Sequence, residues 1–270
     1  MEKMKRILAV IGIAAVLAAA CLPMIFAGGT GEGSAGRFIG AAAAAVFIPI
    51  LVYICMMAVR VFGPGKNRTG QVKNVIFDIG NVLMKFGWED YLDGYGFPEE
   101  KRERLADAIF RNSLWNERDR GSMTEEEYRK AFVAAAPEYE QDVIEIIERS
   151  PECIHLFPYS ATWLQYLKER GFNTFILSNY SAYMLEHTRK DMAFLKFADG
   201  AVFSCEEKMI KPEEDIYRTL LSRYGLKPEE CVFIDDRKDN VDTALRLGMK
   251  GIVFKGFKEA AAKLEELGVK

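Results

Sequence analysis

The sequence contains few of the residues from which disulfide frameworks and zinc sites are built. It has two histidines and five cysteines, and no two cysteines form a CxxC pair. The odd cysteine count and the scattered spacing fit neither a zinc site nor a disulfide framework. We therefore expect buried or lipid-facing thiols in a reducing compartment, and we interpret His155 and His187 as structural or surface residues.

A strong charge of one sign is also missing. The net charge is -3 over 270 residues, which leaves no electrostatic footprint for nucleic acid. Hydrophobic residues make up 50% and charged residues 28%, which excludes a disordered or fibrous chain and suffices for a sizeable core. The charge is uneven, because residues 1–64 hold five basic and two acidic residues and the remainder holds 31 basic and 37 acidic ones. An apolar, faintly basic N-terminal segment, residues 1–64, thus precedes an acidic remainder. We call these two parts the front end and the body.

Two long runs in the front end contain no charged residue. They are Ile7–Ala27 and Phe38–Val59, and a helix of either length spans roughly 30 Å, the thickness of the hydrocarbon core of a bilayer. Neither run has the polar face that a surface helix of a globular domain needs. We predict a membrane hairpin over residues 1–64, with transmembrane helices at 7–27 and 38–59 and a linker over 65–73.

Basic residues flank the hairpin and predict its orientation. Three precede the first run, one lies in the connector and three follow the second run: Lys3, Lys5, Arg6, Arg37, Arg60, Lys66 and Arg68. The positive-inside rule places both ends of the hairpin in the cytoplasm. We therefore expect a multi-pass protein of the cell membrane whose catalytic domain faces the cytoplasm.

Two other interpretations of the front end stay open. A basic start followed by an apolar run also fits a cleaved signal peptide over residues 1–27, although this run is long for a signal-peptide core. Cleavage would leave a single anchor and place the body outside the cell. Two buried helices of a soluble domain are the third interpretation, which such apolar segments rarely support.

The body alternates short apolar runs with helical patterns. The predicted strands are Asn74–Phe77, Thr174–Leu177, Ala201–Phe203, Cys231–Ile234 and Gly251–Phe254. The predicted helices between and after them include Ala161–Arg170, Asp215–Tyr224, Asn240–Leu247 and Phe257–Leu267. This alternation predicts an α/β fold with a parallel sheet covered on both faces.

A long insert follows the first strand, from about residue 87 to residue 155. It has no strand signal and is rich in Glu, Arg, Leu and Ala. Thr124 followed by Glu127 resembles a capping box, which opens a helix. We predict a small helical subdomain over residues 87–155, with residues 74–86 and 156–270 forming the sheet-containing core.

Polar residues follow the predicted strands at the edge where parallel sheets bind ligands. Asp78 follows the first strand, Ser178 and Asn179 follow the second, and Asp235 and Asp236 end the fourth. Lys211 lies in the loop after the third strand. We expect carboxylates, one lysine and one hydroxyl to meet at one edge of the sheet.

These four motifs, in this order and each behind an apolar run, resemble the haloacid dehalogenase superfamily over residues 72–270. The first motif reads FDIGNV and is similar to the FD-x-GNV phosphatases, which include bacterial enzymes that act on glucose 1-phosphate. The resemblance implies a Rossmann-like parallel sheet core, a helical cap inserted after the first strand, and hydrolysis of a small phosphorylated metabolite, with sugar phosphates as one class.

The site roles follow from this chemistry and this resemblance. A carboxylate can attack a phosphate ester and form a phospho-aspartyl intermediate, which makes Asp78 the expected nucleophile. Two anions repel each other, so a hard cation such as Mg²⁺ must bridge them. By resemblance, the predicted metal ligands are Asp78, the Gly80 carbonyl and Asp236, with Asp235 close by. The other implied roles are phosphoryl binding by Ser178 and the Asn179 amide, charge neutralisation by Lys211, and orientation of a metal-bound water by Asn240.

Gly80 departs from the superfamily pattern, which usually has a second aspartate at this position as general acid and base. Such a group typically contributes ~10²–10⁴ in rate. Three explanations stay open: the leaving group is a good one, another side chain such as Asn81 or a cap residue assists, or turnover is slow. The FD-x-GNV subset shares this glycine, which favours the first two. Two rival functions remain: a membrane interaction module with a weakened site, and a hydrolytic dehalogenase, for which the Asp235–Asp236 pair would be superfluous.

Overall fold

The computed structural model describes residues 71–270 of the chain, and a five-stranded parallel sheet runs through them. Together with one short antiparallel pair, the strands of this part of the chain are β1 (Asn74–Phe77), β2 (Met84–Phe86), β3 (Ile154–Leu156), β4 (Asn173–Ser178), β5 (Gly200–Phe203), β6 (Cys231–Asp235) and β7 (Lys250–Val253). The sheet has the order β5-β4-β1-β6-β7, while β2 pairs with β3. The predicted α/β fold with a parallel sheet is confirmed.

The helices fall into two groups. Five lie between β2 and β3: α1 (Trp88–Asp93), α2 (Glu99–Ala108), α3 (Ser113–Arg120), α4 (Glu125–Ala135) and α5 (Glu140–Glu148). Six more follow β3 and accompany the sheet: α6 (Ser160–Glu169), α7 (Ala182–Thr188), α8 (Ser204–Glu207), α9 (Glu214–Arg223), α10 (Lys238–Arg246) and α11 (Phe257–Glu266).

The central strand β1 is buried along its whole length. Successive side chains of a strand point to opposite faces, so Val75 and Phe77 pack in one core cluster and Ile76 packs in another. Burial on both faces explains why the strand reads as a continuous apolar run instead of an alternating one. Because β1 lies between β4 and β6, its carboxyl end is flanked by theirs.

The helices between β2 and β3 have a hydrophobic core of their own. It includes Leu105, Trp115 and Phe132, which are at most 8% exposed. The helix α4 begins with the capping box: the Thr124 hydroxyl accepts from the Glu127 amide at 3.3 Å, and the Glu127 carboxylate accepts from the Thr124 amide at 2.8 Å. This group of helices therefore packs as a unit beside the sheet-containing part.

A short strand pair at the border between the insert and the core was not predicted. The sequence showed no strand there, yet Ile154–Leu156 forms β3 and pairs antiparallel with Met84–Phe86. Each strand has only three residues of mixed character, too few for a recognisable alternation. The pair links the first strand of the sheet to the helices at the point where the insert leaves and re-enters the core.

The predicted membrane hairpin, with its spans at residues 7–27 and 38–59, lies outside the described residues. Within residues 71–270, no helix combines the length and the apolar character that crossing a bilayer requires.

Candidate active site

The carboxyl ends of β1, β4 and β6 border a cavity of about 250 Å³. Asp78, Asn179 and Asp236 follow these three strands and line it, together with Gly80 and Lys211. Parallel strands place their carboxyl ends at the same edge of a sheet, which is why motifs distant in sequence meet here.

Lys211 is the cation at the centre of the site. Its Nζ lies 2.7 Å from Oδ1 of Asp78 and 2.7 Å from Oδ2 of Asp235, and it donates to the Leu177 carbonyl at 2.9 Å. All three protons of the ammonium therefore have an acceptor. Burial alone lowers the pKa of a lysine, but the carboxylates of Asp235 and Asp78 outweigh this and raise the pKa of Lys211. The lysine thus stays charged, although its side chain is only 1% exposed.

Asn179 fixes the main chain of Lys211. Its Nδ2 donates to the Lys211 carbonyl at 3.0 Å, and its Oδ1 accepts from the Lys211 amide at 2.8 Å. Ser178 is completely buried, and its hydroxyl donates to the Asn179 carbonyl at 3.4 Å. Ser178 ends β4 beside the cavity but does not line it, so its predicted contact with a phosphoryl group stays a prediction.

Both carboxylate oxygens of Asp235 already accept hydrogen bonds. Oδ1 accepts from the Arg237 amide at 2.8 Å, and both oxygens accept from Nδ2 of Asn240 at 3.0 Å. With Lys211 on Oδ2, this buried carboxylate has a full set of partners. Asp235 therefore acts in this structure as the anion that positions Lys211 and Asn240.

Asp78, by contrast, has one oxygen without a hydrogen-bond partner among residues 71–270. Oδ1 contacts Lys211, whereas Oδ2 lies on the side of Gly80, 3.8 Å from where a β-carbon would stand at that residue. Burial, with the nearby Asp235 and Asp236, raises the pKa of Asp78 to about 7 against the lowering effect of Lys211. A carboxylate held at one oxygen and free at the other suits a nucleophile.

Asp236 is held by the loop that follows β1. The Asn81 side chain donates from Nδ2 to Oδ2 of Asp236 at 3.2 Å and accepts at Oδ1 from the Phe86 amide at 3.1 Å. Asn81 has a φ of 53°, in the left-handed region that asparagine tolerates better than most residues. Burial and the neighbouring Asp235 raise the pKa of Asp236.

The residues of this edge fit a divalent cation. Asp78, Asp235 and Asp236 each offer an oxygen, and these atoms lie within 4.8 Å of one another, with a single lysine to balance three carboxyl groups. The Oδ1 atom of Asn240 is buried and has no hydrogen-bond partner among the described residues, and Asn240 lines the cavity. An oxygen-rich cluster with excess negative charge and an unpaired acceptor is the donor set that Mg²⁺ prefers, in agreement with the predicted cofactor.

The end of β2 and the insert that follows it contribute a second wall, which sequence reasoning did not resolve. Phe86, Phe110 and Trp115 line the cavity, and the Trp115 ring lies 5.5 Å from Phe86 and 5.0 Å from Phe110 between centroids. Asp119 of α3 also lines the cavity. Nothing in the sequence around Asp119 marked it, because its position opposite Asp78 depends on how the insert packs on the core.

Comparison with known proteins agrees with this geometry. Residues 72–248 match the protein family described as haloacid dehalogenase-like hydrolase. Flavin mononucleotide hydrolase 1 of Arabidopsis thaliana is 28% identical over 210 residues, which cover 75% of this chain and 80% of that protein. A sesquiterpene phosphatase of Aspergillus oryzae is 24% identical over 182 residues, covering 67% and 88% of the two chains.

A solved structure has the same fold. It is a haloacid dehalogenase family enzyme of Bacteroides thetaiotaomicron in complex with magnesium and inorganic phosphate, with a TM-score of 0.54 at 22% identity. The match covers 68% of this chain and 94% of that one. The predictions of the superfamily and of a hydrolase are thereby confirmed. With its four ordered motifs assembled around one cavity and a family match over residues 72–248, the chain belongs to the haloacid dehalogenase-like hydrolase family.

Proposed function

We propose that the chain is a Mg²⁺-dependent phosphatase that hydrolyses a small phosphorylated metabolite through an aspartyl-phosphate intermediate. One observation carries the proposal: Asp78 is held at Oδ1 by a buried lysine while Oδ2 is free beside a cavity that two further carboxylates border. The family match and the two phosphatase-type relatives support the same class of reaction.

The proposed reaction has two steps. The free oxygen of Asp78 attacks phosphorus, the bond from phosphorus to the ester oxygen breaks, and the leaving alcohol takes up a proton. A water molecule then attacks the phosphorus of the aspartyl phosphate, releases inorganic phosphate and restores the Asp78 carboxylate. Lys211 neutralises charge in both steps, and Ser178 and the Asn179 amide are proposed to bind phosphoryl oxygens.

The metal ligands are proposed to be Asp78, Asp236 and the Gly80 carbonyl, with Asn240 positioned to hold a water. Mg²⁺ bound there would neutralise the facing negative charges, which otherwise oppose the approach of a phosphate dianion to a carboxylate.

Two classes of leaving group compete. The FDIGNV motif resembles phosphatases of sugar phosphates, and this remains our first substrate class. The wall of Phe86, Phe110 and Trp115 favours a second class, because aromatic side chains bind flat or apolar surfaces well. The two relatives are named for flavin mononucleotide and for sesquiterpenes, whose non-phosphate parts are of that kind.

Two rival functions make different demands on the site. A dehalogenase also uses an aspartate nucleophile, but it attacks carbon and need not bridge two anions with a metal, so the Asp235–Asp236 pair would be superfluous. A non-catalytic interaction module would not require the buried contacts of Lys211 with Asp78 and Asp235. Both rivals are outcomes of the experiment below.

The test is an assay of the full chain on a panel of phosphate esters, with Mg²⁺ and with chelator. We expect hydrolysis of at least one ester, loss of activity with chelator, and loss in Asp78→Asn. The matched control is Asp107→Asn, which removes a carboxylate that is 64% exposed and pairs with Arg111. Activity that survives either chelation or the Asp78 substitution contradicts the mechanism, and inactivity on every ester favours the interaction module.

We further propose that residues 1–64 anchor the chain in the cell membrane, with the catalytic part facing the cytoplasm. The two uncharged runs and the basic residues on their outer flanks support this orientation. Protease protection in intact cells tests it, with digestion of residues 71–270 expected only after the membrane is permeabilised. Digestion in intact cells would contradict the proposed orientation and favour the signal-peptide interpretation.

A further inference from the structure

We propose that Asp119, on a helix of the insert, is the proton donor and acceptor that replaces the aspartate missing at position 80. This inference rests on the proposed phosphatase function and assigns a catalytic residue to it. It concerns a part of the chain far from the four motifs in sequence.

Asp119 is fixed opposite the nucleophile by contacts from the core. It is the last residue but one of α3 and lines the cavity that Asp78 and Lys211 also line. Its carbonyl accepts from the Ser204 hydroxyl, which anchors this end of α3 to the core, and Ser181 lines the same cavity. Asp119 therefore shares one cavity with the nucleophile, within which the leaving group of a bound ester would also lie.

The other ionisable groups around the cavity already have partners. Lys211 donates to three acceptors, and Arg237 pairs with Asp239 at 2.7 Å. The Tyr180 hydroxyl is within 2.8 Å of the Thr188 hydroxyl, and Asn81 has an amide that cannot supply a proton at neutral pH. Among the described residues that line the cavity, Asp119 is the carboxyl group that does not belong to the cluster of Asp78, Asp235 and Asp236.

The charges around Asp119 suit a group that both donates and accepts a proton near neutral pH. Burial, with the neighbouring Asp78, raises its pKa to about 7. Arg118, Lys211 and the main chain of Ser181 act in the opposite direction. Tyr180 and Cys205 also face it, and burial raises the pKa of both, so they stay neutral at pH 7. A general acid works best when its pKa lies near the working pH.

Asp119 supplies one proton in the first step of the reaction and recovers one in the second. In the first step the Asp119 proton passes to the ester oxygen as the bond from that oxygen to phosphorus breaks, and the product is a neutral alcohol. In the second step the Asp119 carboxylate takes a proton from the attacking water while the bond from phosphorus to Asp78 breaks. Phosphate leaves, and Asp119 is protonated again.

Position 80 offers a rescue experiment. A β-carbon built there meets only Oδ2 of Asp78 within 4 Å among the described residues, and the backbone of Gly80 is outside the left-handed region. A side chain at this position therefore fits beside the nucleophile. If Asp119 supplies the proton, an aspartate introduced at position 80 should take over part of its role.

The experiment compares alkyl and aryl esters in the full chain with Mg²⁺. The probes are FMN and glycerol 3-phosphate, whose alkoxide leaving groups need a proton, and p-nitrophenyl phosphate, whose leaving group does not. In Asp119→Asn we expect kcat/KM to fall ~10²–10⁴-fold on the better alkyl ester and less than about tenfold on p-nitrophenyl phosphate. The alkaline limb of the pH profile for the alkyl ester should disappear. Adding Gly80→Asp to this variant should raise its kcat/KM on the alkyl ester again by at least about tenfold.

Glu117→Gln is the matched control, because Glu117 lies on the same helix and pairs with Arg120 outside the cavity. We expect its rates to equal those of the wild type. Equal losses on alkyl and aryl esters in Asp119→Asn, or no loss at all, overturn the proposal while the phosphatase function stands. A wild type that cleaves only the aryl ester also contradicts a proton donor at Asp119. A wild type inactive on all three esters removes the proposed function and this inference with it.

Discussion

Replacing Lys211 by methionine tests the electrostatic core of the site. The ammonium lies 2.7 Å from a carboxylate oxygen of Asp78 and 2.7 Å from one of Asp235, and the lysine side chain is 1% exposed. Methionine fills similar space but leaves the two carboxyl groups buried without a counter-charge. Removing one partner from a buried ion pair costs about 3–5 kcal/mol, because the remaining charge stays desolvated.

The pH dependence of this loss has a defined sign. Burial raises the pKa of Asp78 to about 7 in the folded wild type, and Lys211 lowers it. Without the lysine the folded-state pKa rises further, so the folded variant retains a proton that the unfolded chain releases. Stability then continues to fall with pH above 7, where the wild type has levelled off. The loss of stability that comes from the titration of Asp78 therefore appears above about pH 7 and is absent below it.

Urea unfolding followed by tryptophan fluorescence measures the effect without interference from residues 1–70. All three tryptophans, Trp88, Trp115 and Trp163, lie in the part of the chain that the structure describes. We expect the midpoint of Lys211→Met to fall by about 1–2 M in chelator. Lys263→Met is the control, since its pair with Glu259 is exposed to solvent, and we expect its midpoint to equal that of the wild type. If Lys211→Met loses less than about 1 kcal/mol of unfolding free energy relative to the wild type, or if the loss does not grow above pH 7, the reasoning is refuted.

Two further predictions concern the loop after β1 and the insert. Asn81→Ala removes the donor that holds Asp236, so we expect about 10–100-fold weaker Mg²⁺ activation with kcat at saturating metal reduced far less. Magnesium titration of the rate measures this, and an unchanged half-saturation concentration would contradict it. Thr124→Ala breaks the capping box of α4 and should lower the free energy of unfolding by about 0.5–2 kcal/mol, measured by urea unfolding, with kcat/KM nearly unchanged. A large loss of activity at equal stability would show that this cap does more than begin a helix.

The sequence predicted those features that depend on local pattern. The strand Asn74–Phe77 was predicted with its observed bounds, because an apolar run ended by Asp78 is a strong signal. The meeting of Asp78, Lys211 and Asp236 followed from the rule that parallel strands end at one edge. The capping box at Thr124 is local by nature and is present as predicted.

The features that the sequence did not predict depend on packing. The pairing of β2 with β3 joins residues about 70 positions apart, and three-residue strands have no periodicity to detect. The position of Asp119 depends on the docking of α3 against Ser204. The saturation of Asp235 and the use of the Asn179 side chain on Lys211 depend on rotamers, which a motif does not specify.

The account depends above all on Asp78 as the nucleophile that attacks phosphorus. The most direct measurement is to quench the full chain with acid during turnover of a phosphate ester, reduce the trapped acyl phosphate with borohydride, and locate the modified residue by tandem mass spectrometry. We predict modification at Asp78 and none in Asp78→Asn. Modification at another residue, or turnover by the wild type without any trapped acyl phosphate, would contradict the central claim.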